Sequence, residues 1–80
     1  MTERLKFEGR LREKELEAQK LELKIKGLRD AIRDGLDPFE RVEDLRLDVV
    51  AVQAQEAAEL QAEMKEVLLK IRFINKELGR

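Results

Sequence analysis

The chain has 80 residues, enough for one domain, with 44% charged and 42% hydrophobic residues and a net charge of −1. Balanced charge interleaved with aliphatic residues points to long helices rather than disorder, which goes with low hydrophobicity and high net charge. Cys, His and Trp are absent and aromatics make up 4%, which removes disulfides, thiolate nucleophiles and imidazole acid–base or metal chemistry.

The opening Met1-Thr2-Glu3-Arg4-Leu5-Lys6 has no apolar h-region, so no secretory leader is expected and a cytoplasmic location is the default. A first helix is predicted over about residues 3–34. Its apolar seam is Phe7, Leu11, Ala18, Leu21, Ile25, Leu28 and Ile32, interrupted by Lys14, in mixed steps of three, four and seven that match a coiled-coil a/d pattern. Leu16 and Leu23, with Leu5 nearby, form a second and weaker apolar face. Gly9 and Gly27 lie inside this helix and should each cost about 1 kcal/mol against Ala. Either they are tolerated weak points or they mark a close backbone contact.

Punctuation is concentrated at Asp34-Gly35-Leu36-Asp37-Pro38. Gly35 suits a left-handed residue ending the first helix. Asp37 suits an N-cap, Pro38 a first helical position and Glu40 the closing residue of a capping box. The spacing therefore predicts a turn at 35–37 and a second helix over about 38–78, with the helices about 48 Å and 61 Å long. So short a connection makes them antiparallel neighbours.

The second helix reads Val42, Leu45, Val49, Val52, Glu56 or Ala57, Leu60, Met64, Val67, Ile71, Ile74 and Leu78. The mean step is that of a straight α-helix. Glu56 stands where the seam changes phase, and the simpler assignment gives the core position to Ala57. A further stripe runs Leu47, Ala51, Ala54, Ala58, Ala62, Leu69 and Phe73, which either lets another helix approach closely or reflects the helix preference of Ala.

The fold expected is all-α, a two-helix antiparallel coiled-coil-like hairpin. A lone hairpin has one interface, and each helix has two apolar faces. A C2 dimer forming a four-helix bundle is the expected remedy, with Leu16, Leu23, Leu47, Ala51, Ala54, Ala58, Ala62 and Leu69 as the self-association surface. A turn at 35–37 would also leave residues 71–80 running past the first helix. That overhang, with Ile71, Phe73, Ile74 and Leu78, would be covered by a second subunit or by a client protein.

Charge is uneven: residues 37–64 carry −6 and residues 65–80 carry +3. Arg4, Lys6, Arg10, Arg12, Lys70, Arg72, Lys76 and Arg80 would gather at the termini, either as phosphate contacts or as a solvated face diluted by Glu3, Glu8, Glu13 and Glu15. No recognition motif for nucleic acid accompanies them. The only hydroxyl side chain is Thr2, the glycines are scattered, and no Glu-x-x-His motif exists, so no enzyme activity and no cofactor or metal is expected. The longest apolar run, Val49-Val50-Ala51-Val52, is far too short to span a bilayer, and the mixed polar faces do not suit a membrane surface. The expected partners are proteins.

The stretches LKFEGRLREKELEAQKLELKIKGLRDAIRDGL and EMKEVLLKIRFINKEL resemble the short, charged α-helical-hairpin accessory proteins of Mu-like transposable phages and prophages. The resemblance implies a small accessory protein acting on a host protein, and it supplies no site residues.

Overall fold

A computed structural model of the chain describes residues 2–80. Two long helices form where Leu, Ala, Glu, Lys and Arg dominate and proline is absent: α1 over Thr2–Gly35 and α2 over Leu47–Glu77. They pack side by side as an antiparallel hairpin, a rod of 63 × 15 × 14 Å, with no strand among the described residues.

The connection is longer than the sequence signals suggest. Asp37 caps no helix; its Oδ1 accepts the Phe39 N–H at 2.9 Å in a local turn. The Glu40 N–H then closes a single turn onto the Asp37 carbonyl, and no helix follows. Arg41 is extended, Val42–Asp44 make one 3-10 turn, and Leu45 is extended again. The second helix thus begins at Leu47, not at 38, and the connection spans 36–46 rather than 35–37. Packing at the far end explains the choice. A helix from residue 38 would gain at most about 0.3 kcal/mol for each added residue. It would also strand Ile71, Ile74 and Leu78 beyond α1, and burying such side chains is worth about 1.5–3 kcal/mol each.

The longer connection resets the register. Leu11 packs with Ile74, Ala18 with Val67, and Gly35 approaches Val50, so facing positions add up to 85 instead of 72. The overhang predicted at 71–80 does not exist. Ile74 and Leu78 are buried against Leu11, with Phe7 and Ile71 packed around them, and only Phe73 of that group stays exposed.

The α1 seam follows the predicted positions: Phe7, Leu11, Ala18, Leu21, Ile25, Leu28 and Ile32 are all buried or half-buried. Lys14 shares the seam, and its ammonium donates to Glu17 at 3.1 Å, the stem lying along apolar surface while the head finds a carboxylate. The α2 seam departs from the expectation in its first half. Val50, Gln53 and Ala57 line the interface, whereas Val49, Val52 and Glu56 face outward. From Val50 to Leu78 the steps alternate three and four, a mean of 3.5, so α2 keeps the coiled-coil period and not that of a straight helix.

Gly35 is not the left-handed residue expected of it. Gly35 is helical; its Cα lies so close to α2 that a Cβ would come within 2.6 Å of Val50 Cγ2. Gly79 is the left-handed residue, at φ +78°. It ends α2, with the Arg80 N–H donating to Asn75 O at 2.8 Å and the Gly79 N–H to Lys76 O at 3.1 Å, the paired bonds of a Schellman motif. Arg80 then reaches back to Glu8 at 3.3 Å, the one ion pair joining the two helices among the described residues.

Candidate interaction surface

The hairpin buries little. Leu11, Ala18, Leu21, Val67, Ile74 and Leu78 are the buried residues, while Leu5, Leu16, Leu23, Leu36, Phe39, Val42, Leu47, Val49, Val52, Leu68, Leu69 and Phe73 are exposed. The accessible surface is 6600 Å² for a mass of 9.4 kDa. A globular monomer of that mass has about 5,000 Å². The difference of about 1,600 Å² is the cost of a rod with one interface, and it is comparable to the area of a standard protein–protein contact.

The residues predicted for self-association are all exposed, but they do not make one patch. Heptad positions fixed by the seam place Leu16 and Leu23 on the side of α1 directly away from α2. There a shallow groove is lined by Leu5, Glu8, Gly9, Arg12, Glu13 and Leu16. Leu47, Ala51, Ala54 and Ala58 run instead along a flank of α2, with Ala62 and Leu69 further round its outer side. The joint surface expected from the sequence is therefore two surfaces, and the α2 side is the longer and more continuous.

That side contains two shallow grooves. One is lined by Ala51, Val52, Gln55, Glu56 and Glu59. The other is lined by Lys65, Leu68, Leu69 and Arg72. Both have apolar floors, and their rims carry opposite charge. Leu68 belongs to this surface although the sequence pattern did not single it out; it becomes visible once the seam is written as a strict heptad and the flank positions are read from it.

The basic residues near the termini do not gather into a face. Arg4 and Arg80 both turn to Glu8, at 3.7 Å and 3.3 Å. Arg10 lies over the Phe7 ring, 5.9 Å from its centroid. Lys70 and Arg72 project from opposite sides of α2, and Lys6 and Lys76 each point elsewhere from the seam. Among the described residues, two of these eight cations turn to Glu8 and the others are spread over more than one side of the rod.

Apolar side chains also cluster at the turn, where Phe39 is 95% exposed and Val42 79% exposed. Predicting a helix from residue 38 hid them, because it assigned Val42 to the seam. Among the described residues no group of His, Cys, Asp and Glu is placed to hold a metal ion, and no helix is long and apolar enough to cross a membrane. Comparison with protein-family models, curated proteins and solved structures gives no match.

Proposed function

We propose that this chain is a non-enzymatic protein–protein interaction module, a helical hairpin that self-associates through the outer side of α2. The observation that carries this reading is the row of exposed apolar side chains on α2, Leu47, Ala51, Ala54 and Ala58 along one flank with Ala62 and Leu69 further round, left uncovered by a fold whose single interface is already occupied. Exposed apolar patches mark interaction sites. A dimer closing this side would convert two single-interface hairpins into a four-helix arrangement with a shared core. The dispersal of the basic residues removes the reason to prefer nucleic acid as the partner.

Light scattering coupled to size-exclusion chromatography tests the proposal. The wild-type chain should give at least twice 9.4 kDa. Ala58 is exposed in the hairpin, so Ala58→Glu should reduce the mass to that of the monomer while the helical circular dichroism persists. A wild-type monomer, or an Ala58→Glu variant of unchanged mass, would overturn this surface as the self-association site.

A further inference from the structure

Resting on that reading, we infer that the occupant of the α2 outer side is a second copy of this chain packed antiparallel, so that the turn of each hairpin lies beside the termini of the other. The inference begins with charge. From the start of α2 onward, residues 47–64 carry Asp48, Glu56, Glu59 and Glu63 and no cation, whereas residues 65–80 carry five cations against Glu66 and Glu77. The part of α1 beside each half does not cancel this. The turn half of the rod, residues 18–64, has a net charge of −4, and the terminal half, residues 1–17 with 65–80, has +3. A parallel pair would set like halves together, while an antiparallel pair sets opposite halves together.

The two grooves on α2 carry the same polarity into local detail. The groove of the acidic half has Ala51 and Val52 on its floor with Glu56 and Glu59 at its rim. The groove of the basic half has Leu68 and Leu69 between Lys65 and Arg72. A two-fold axis crossing α2 near Leu60 sets the two grooves at the same level, with Glu56 and Glu59 on the opposite flank of α2 from Lys65 and Arg72. It brings Ala51 toward Leu69 of the second copy, so that a small side chain meets a large one, and it brings Asp48 toward Arg72 of the second copy. The parallel arrangement would instead oppose Leu69 to Leu69 and Ala51 to Ala51, holding the helices apart at one end and leaving a gap at the other.

The chain has no cysteine, so one spin label at Glu40→Cys, exposed on the connection, reports orientation directly by pulsed dipolar spectroscopy. Leu47 stands about 20 Å from the axis at 1.5 Å per residue and the connection lies beyond it, so the two labels of an antiparallel pair should lie at least about 40 Å apart. In a parallel pair they should lie within about 25 Å, because adjacent helix axes are only about 10 Å apart. A long distance supports the inference. A short distance overturns the orientation while self-association stands. No intermolecular coupling, together with a monomer mass, overturns self-association itself. Charge exchange gives an independent check in the unlabelled protein. Asp48→Arg should weaken the dimer about tenfold, and adding Arg72→Asp should recover it. A double variant no tighter than the single variant would overturn the meeting of Asp48 with Arg72.

Discussion

The two ends of the rod are built differently. Toward the termini, Leu11 is clamped between Ile74 and Leu78, with Phe7 and Ile71 completing the cluster. Toward the turn, no residue beyond Leu21 is buried, and α2 sets the small or polar Ala57 and Gln53 opposite the half-buried Leu28 and Ile32, with Gly35 against Val50. The terminal half therefore holds the hairpin together through apolar burial. The turn half lets the helices approach closely around small residues, and it leaves Phe39 and Val42 in water. A hairpin is usually regarded as fastened at its loop; here the fastening lies at the open end, and the loop adopts whatever length that end demands.

The largest effect expected from this contrast is a difference between two isoleucines. Ile74 is 5% exposed inside the terminal cluster, and Ile74→Ala should cost about 2–4 kcal/mol. Ile32, half-buried near the turn, should cost about half as much on the same truncation, since it removes less apolar area from water on folding. Urea unfolding followed by circular dichroism, at one fixed chain concentration so that association does not shift the midpoint, measures both. Equal losses would mean that the two ends share the load.

Glycine substitutions come next in size. At Gly35 a new Cβ would meet Val50 Cγ2 at 2.6 Å, and a β-branched side chain in a helix has little freedom to move aside. Gly35→Ala should therefore lose about 1–2 kcal/mol even though alanine favours helix. The companion variant Val50→Ala removes the obstructing methyl, so the double variant should lose less than the two single losses combined. An additive result would show that Gly35 is not held by that contact.

What was legible in the sequence follows the same division. The α1 seam could be read because its period is local and unbroken from Phe7 to Ile32, apart from Lys14. Ala57, not Glu56, takes the seam position, as the simpler assignment had it. The start of α2 was not legible, because Asp37, Pro38 and Glu40 read as a capping pattern and here make only a local turn. Nothing within 41–46 forbids a helix. The decision comes from residues 71–78, which are distant in sequence and which gain more by pairing with 7–14 than the connection loses by uncoiling. The same register error displaced the first half of the α2 seam onto Val49 and Val52 and created an overhang where the structure has its best-packed cluster. The exposure of Leu47, Ala51, Ala54, Ala58 and Leu69 was legible. Their separation from Leu16 and Leu23 was not, since it depends on how the two helices are rotated about their axes.

The smallest expected effect bears on the two glycines that have no packing reason to be glycine. A Cβ at Gly9 or Gly27 would find nothing within 4 Å. Each sits in a helix interior where alanine is favoured by up to about 1 kcal/mol. Gly27→Ala should accordingly raise stability by about 0.5–1 kcal/mol, visible as a shift of the urea midpoint with an unchanged slope. Gly9 lies in the shallow groove of α1 beside Leu5 and Leu16, so Gly9→Ala should give the same gain in the hairpin alone. A gain at Gly27 accompanied by a loss of self-association at Gly9 would bring the α1 leucines into the interface between copies. Equal gains with the oligomeric mass unchanged would leave that interface to α2, where the row of exposed apolar side chains is longer.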